Sequence, residues 1–344
     1  MSYAEFRDLQ SELRRFQLRL GVASAVVLAA FGVLLLRFTY LQLVQHDYYR
    51  TKAEDNRISV VPLVPNRGLI LDRNGAVLAR NESQYTLEIA MQKVANIDAT
   101  ISELATVLDI QPRDRNRFRR LRAEVKGAES LPIKTRLTDE EVARFSANAY
   151  RFPGVEIKAR LFRNYPMGEV ASHVLGYISR ISEKDLERLE ADGVAANYKG
   201  SDFIGKSGLE ASYERELHGT TGSAQVEIDA GGRGIRTLTS TPPQAGNNLV
   251  LTLDIKLQEV AENAFGKFRG ALVAIEPATG GILALVSKPG FDPNLFVEGI
   301  DAASWEALNN DPAKPLNNRA VTGAYPPGST FKPGGYAQIG RAHV

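Results

Sequence analysis

The chain has 344 residues, 44% of them hydrophobic and 24% charged, and a formal net charge of +2. That composition describes an ordinary folded protein with chain enough for two or three domains, and the charge is too small to point to nucleic acid. Without cysteine, disulfides and thiolate metal sites are excluded; the four histidines His46, His173, His218 and His343 show no ligand spacing, so neither metal nor cofactor is expected.

Leu20 to Leu36 is a run of seventeen residues without a charge, continued by Phe38, Tyr40, Leu41, Leu43 and Val44. A hydrocarbon core of ~30 Å takes roughly 20 helical residues, so the run predicts a membrane-spanning helix over 20–44. It is long for the apolar part of a cleaved leader and does not end at small residues, which predicts a retained anchor. Arg7, Arg14, Arg15 and Arg19 before it outweigh Arg37, Arg50 and Lys52 after it, which puts the 1–19 tail on the cytoplasmic side and the chain beyond the helix outside.

Two short apolar runs flank Asn74-Gly75, a pair that tolerates positive φ and predicts a tight hairpin. Residues 95–150 read as helical: Ile101, Leu104 and Leu108 share a face, and Thr138 with Glu141 forms a capping box ahead of Val142, Phe145 and Ala149. Between them, Arg113 to Arg122 is strongly basic and raises the question of a phosphate or lipid ligand. Phe118, Leu121 and Val125 recur at helical spacing within it, so the reading is an amphipathic helix with a solvated basic face.

Gly200 to Ser207 fits Gly-x4-Gly-Lys-Ser, the phosphate-binding loop of NTPases. Such a loop needs a buried strand directly before it, and Ala195-Ala196-Asn197-Tyr198-Lys199 is neither apolar nor β-branched, so the NTPase is a remote alternative. A helix is expected after it with Leu209, Tyr213 and Leu217 on one face. Past the breaker cluster at Pro242-Pro243 come a predicted strand over 249–253, a helix from Ile255 to about Phe268, and a hairpin of 271–275 with 282–286.

Ser329 precedes Lys332 by three residues, which on a helix sets the two side by side. Pro333 is tolerated only in a first turn, so the helix begins near Ser329. The serine amide then faces outward as a donor to an oxyanion, and the helix field favours an unprotonated Lys332 as base. A bare Ser-x-x-Lys arises by chance in a chain with 19 serines and 13 lysines; its surroundings must decide.

Those surroundings are Asn310-Asp311-Pro312, Asn318-Arg319-Ala320 and Tyr325-Pro326-Pro327-Gly328 before the serine. Upstream stand Arg67-Gly68-Leu69-Ile70-Leu71-Asp72-Arg73-Asn74-Gly75, Phe152-Pro153-Gly154, Ser172 to Tyr177, and Ile204-Gly205-Lys206-Ser207-Gly208-Leu209-Glu210. Together they resemble the class B penicillin-binding proteins from Leu43 to Lys332, and among them the transpeptidases of cell elongation in rod-shaped Gram-negative bacteria. The resemblance implies an α+β multidomain protein. Residues 1–19 would be a cytoplasmic tail, 20–44 the anchor, 45–245 an elongated non-catalytic pedestal able to fold alone, and 246–344 the first part of a serine β-lactamase-like transpeptidase domain.

It further implies a D,D-transpeptidase of the bacterial inner membrane, mostly periplasmic, that cross-links pentapeptide stems of nascent peptidoglycan through Ser329 with Lys332 as base. β-Lactams, a membrane glycan polymerase and periplasmic shape proteins are the implied partners, and His173 is a structural rather than a catalytic residue. A membrane-anchored scaffold without chemistry is the alternative. The family also uses Ser-x-Asn and Lys-Thr-Gly motifs, and neither is among the twelve residues after Lys332. Gly334-Gly335 departs from a continuing helix, at ~1 kcal/mol for each glycine. Ile339 to Val344 can be encoded by a common sequencing-adapter sequence, so the expectation is a native reading that breaks off near Gln338 and a chain that, as given, does not catalyse.

Overall fold

The computed structural model of the chain describes residues 9–46, 58–124, 130–228, 234–326 and 329. Two compact units emerge, one of 1–61 with 223–241 and one of 62–222 with 242–344. In the first, α1 (Leu9–Thr39) runs into a π-helical turn, Tyr40–Val44, and Arg14–Val44 is long and apolar enough to cross a membrane. Its apolar side chains are bare, with Leu36 71% exposed, as a helix that packs on lipid rather than protein requires. The same unit holds a sheet of order β1-β8-β9, formed by Ile58–Leu63, Gly222–Ile228 and Gly234–Thr241.

The second unit is built on a mixed sheet. β2 (Ile70–Leu71) turns back at Asp72–Gly75 into β3 (Val77–Ala90), with Gly75 at φ +85°. The hairpin forms as expected, yet β3 runs to fourteen residues. It is flanked along its length by β4 (Ser130–Leu137) and β5 (Val155–Asn164), both antiparallel to it. Packed around its far end are α2 (Ile97–Leu104), α3 (Pro112–Glu124) and α4 (Asp139–Asn148). Ile101, Leu104, Leu108, Phe118, Leu121 and Phe145 close on Leu87, Ile89 and Ile133 in one core. The capping box is present, with Thr138 Oγ1 accepting from Glu141 N and the Glu141 carboxylate from Thr138 N.

Residues 95–150 are therefore not all helical. Ser130–Leu137 is a strand because Ser130, Leu131, Pro132, Lys134 and Leu137 are paired on β3, a tertiary contact that overrides local spacing. Val125 lies outside the described residues, as do Lys332, Gly334, Gly335 and 339–344.

Beyond β5 come α5 (Ser172–Leu175), β6 (Ile178–Arg180), α6 (Glu183–Ala191), β7 (Phe203–Gly205), α7 (Gly208–Ser212) and α8 (Glu214–His218), with β6 and β7 paired. β10 is only Leu249–Val250, shorter than the strand expected over 249–253, and lies parallel to β2. After it come α9 (Ile255–Ala264), the hairpin β11 (Gly270–Ile275) and β12 (Ile282–Lys288), α10 (Asn294–Val297), α11 (Ala302–Asn310) and α12 (Arg319–Thr322).

A second core joins Ile70, Leu78, Phe162 and Tyr165 to Leu253, Ile255 and Val297, so packing runs continuously across residue 245. Asp72 seals the same junction: wholly buried, it accepts from the amides of Asn74 and Ala76 at the turn and from Ile255 N at the start of α9. In a 45–245 polypeptide, amides at Leu87, Ile89 and Ile133 keep their protection against hydrogen exchange. Those at Ile70 and Leu78, deprived of Leu253, Ile255 and Val297, exchange fast. Equal protection of both groups contradicts the shared core.

Candidate active site and its supports

The loop 313–319, which precedes the candidate Ser329, is held to the β11/β12 hairpin by a few buried polar side chains. On α9 the wholly buried Gln258 donates to Leu285 O at 2.8 Å and accepts from Leu285 N at 2.8 Å, so its amide substitutes for a strand partner of β12. Ser287 of β12 then reaches forward. Its Oγ donates to Asn317 O (3.1 Å) and accepts from Arg319 N (2.9 Å), fixing the start of α12. The buried Arg319 guanidinium donates to the carbonyls of Ala313, Lys314 and Asn317, closing 313–319 into a rigid loop. A cavity of about 370 Å³ lies beside it, lined by Gly270, Val273, Arg319 and Tyr325 among others.

His173 grips this loop from α5: Nε2 lies 2.8 Å from Pro315 O, and Asn318 Nδ2 donates to His173 O. Its ring meets Phe291 edge-on at 5.2 Å. Burial pushes the imidazole below its ordinary value of 6.5, so it is neutral and donates from Nε2 to the carbonyl. This is the structural role expected of it. Ser329 is an exposed residue seven positions beyond α12, and Lys332 lies outside the described residues, so the two are not brought together among the described residues.

The Gly-Lys-Ser segment builds no phosphate cradle. Ala195–Tyr198 before it is a 3₁₀ turn, Lys206 is ion-paired with Asp185, and the amides of Gly205 and Lys206 are spent on Glu214 and on Tyr177 O. Its glycine has a packing reason: a Cβ at Gly205 would sit 2.0 Å from Glu210 O.

What this stretch builds is ionic. The face expected to bury Leu209, Tyr213 and Leu217 buries Glu210, Glu214 and Leu217 instead, with Tyr213 44% exposed. Glu210 pairs with Arg163 (2.7 Å) and Arg67 (2.7 Å), and Glu214 with Arg67 (2.7 Å). Tyr165 and Tyr198 donate their hydroxyls to Glu210 and Glu214. Burial works against the Glu210 charge, but the two guanidinium groups outweigh it and hold the carboxyl below the usual range. Burial and then Glu210 push the Tyr165 hydroxyl well up. The sequence carried one signal for this: glutamates four apart, which the structure places on the successive short helices α7 and α8, downstream of an arginine in the hairpin motif.

His218 is likewise buried and lowered by desolvation, its Nε2 2.9 Å from Ser201 Oγ. A histidine lowered in the folded state leaves the unfolded chain to bind more protons. Its stabilisation is therefore complete above pH ~6.5 and is lost as pH falls through the lowered folded value. Thermal midpoints should fall between pH 7 and pH 5, and fall less in His173→Gln/His218→Gln; an identical pH dependence in the variant contradicts the assignment.

Set beside known proteins, residues 62–251 match the family of the penicillin-binding protein dimerisation domain, and residues 270–337 that of the penicillin-binding protein transpeptidase domain. The peptidoglycan D,D-transpeptidase MrdA of Escherichia coli (strain K12) is 48% identical over 328 residues, covering 95% of this chain and 52% of that protein. The MrdA of Acinetobacter baumannii is 43% identical over 327 residues, covering 95% of this chain and 48% of its own length. In the solved complex between the penicillin-binding protein PBP2 and MreC from Helicobacter pylori, a chain superposes with a TM-score of 0.68 at 28% identity, covering 83% of this chain and 53% of that one. This chain spans about half the length of the curated relatives it matches.

Proposed function

Because this chain belongs to the penicillin-binding proteins that carry the dimerisation domain, we propose that it serves as a serine-type peptidoglycan D,D-transpeptidase of cell-wall elongation. The observation that carries this reading is the transpeptidase-domain match over 270–337, which contains Ser329-Thr330-Phe331-Lys332. Ser329 Oγ attacks the carbonyl carbon between the two terminal D-alanines of a pentapeptide stem, giving its proton to the Lys332 amine. As the amide C–N bond breaks, that proton passes to the departing D-alanine, leaving the stem as an ester on Ser329. An amine from a neighbouring stem attacks the ester, a new amide forms, and the proton it sheds returns to Ser329 through Lys332. A β-lactam resembles the D-alanyl pair, so it acylates the same oxygen by opening of its ring amide.

The helix over Arg14–Val44 anchors the protein in the inner membrane, with the arginine excess of the tail keeping 1–19 inside and the rest in the periplasm. The relative solved with MreC supports a shape protein of that kind as a partner, and a membrane glycan polymerase is proposed beside it. The pedestal of 45–245 and the transpeptidase domain from 246 are proposed as the two periplasmic parts.

A gene product that carries these residues together with the Ser-x-Asn and Lys-Thr-Gly motifs should be labelled by fluorescent penicillin. Ser329→Ala abolishes the label, and Lys332→Ala slows acylation by about 10²–10⁴-fold. Labelling that survives Ser329→Ala overturns the assignment, and an absence of labelling altogether leaves the scaffold.

A further inference from the structure

The basic stretch on α3 is not used by the proposed chemistry. Arg113, Arg117 and Arg120, at i, i+4 and i+7, line a cleft of about 1110 Å³, whereas Arg119 and Arg122 are exposed outside it. The far wall is the segment from Asn294 to Ala303, and Lys134, Arg136, Arg144 and Arg180 add further positive charge.

Five acidic side chains also line the cleft, and each is already committed. Asp114 takes Gln111 N and Arg117, Glu140 takes Arg144, Glu141 takes Lys134, and Asp301 takes the amide and hydroxyl of Ser304. Glu298 accepts from Arg117, Arg136 and Thr135 together. Exposed Arg113 and Arg120 form no ion pair among the described residues, and Arg117 Nε is buried without an acceptor. The first turns of α3, α4 and α11 open on the same space, and their amide dipoles add to its positive potential.

Glu298 shows what this wall accepts: a carboxylate carried on a peptide, held by planar guanidinium groups. The cleft exceeds the roughly 300–1,000 Å³ of a small-molecule pocket, and Leu121, Leu295 and Ile300 give it apolar ground between the charges. We propose that the cleft docks an extended acidic peptide segment of a partner protein, whose carboxylates pair with Arg113 and Arg120 and compete with Glu298 for Arg117 and Arg136.

Such a segment acts on the catalytic side of the unit, because Glu298 directly follows α10, whose Phe296 stacks on Tyr177 at 4.1 Å. Taking the arginines from Glu298 frees the 294–299 wall from β4. The proposal stands on the cleft alone and does not require that Ser329 be the nucleophile.

The test is fluorescence anisotropy of a fluorescein-labelled peptide of alternating glutamate and leucine, titrated with the full chain in detergent at low ionic strength. Binding is expected, about tenfold weaker in Arg113→Ala/Arg120→Ala, unchanged in Arg119→Ala/Arg122→Ala, and tighter in Glu298→Gln. Equal loss in both double variants means diffuse charge attraction and overturns the proposal. So does an absence of binding, or capture of phosphatidylglycerol vesicles alone through Arg113 and Arg120.

Discussion

Two arginines and two glutamates buried together are the constraint on which the larger unit depends. Arg163 and Glu210 are both wholly shielded from water, a placement that costs several kcal/mol per ion unless every charge is matched. It is matched here because three segments distant in sequence converge. Arg67 lies just past β1, Arg163 is on β5, and Glu210 and Glu214 stand on α7 and α8. The arrangement also needs close backbone contact. A Cβ at Gly68 would lie 1.9 Å from Asn247 O, so the Arg-Gly pair of the hairpin motif couples a charge to the absence of a side chain.

From that cluster the contacts lead toward the loop 313–319. Tyr165, which donates to Glu210, also accepts from Ile178 N, and its backbone N and O are both bonded by the Asn294 side chain. Asn294 opens α10, and Phe296 and Phe291 close on Tyr177 beneath α5, from which His173 holds Pro315. The loop 313–319 is thus carried on a frame in which residues on both sides of position 245 share one core, as strongly positioned chemistry needs a supporting shell.

Much of this frame was legible in the sequence wherever the cause is local. The long apolar helix near the N-terminus, the Asn74-Gly75 hairpin, the Thr138 cap and the β11/β12 pair all rest on spacing or turn chemistry within a few residues. What was not legible depends on distant partners. Ser130–Leu137 is a strand because β3 extends far enough to pair with it, and the one helix expected over Leu209 and Leu217 is two short helices, α7 and α8, that bury glutamates because arginines arrive from 67 and 163. Glu298, which gathers three donors from α3 and β4, carried no periodic signal at all. The proposed pairing of Ser329 with Lys332 rests on sequence and family membership.

A double-mutant cycle at Arg163 and Glu210, read by chemical denaturation of the full chain, tests the buried cluster most directly. Glu210→Leu strands the Arg163 charge in the core, at a cost of about 3–5 kcal/mol, and Arg163→Met leaves Glu210 with Arg67 as its remaining ion pair, whereas the double variant strands neither charge. The account predicts a double variant less destabilised than the sum of the singles by about 2–3 kcal/mol. Additivity within about 0.5 kcal/mol would show that the two charges do not depend on each other, and would contradict it.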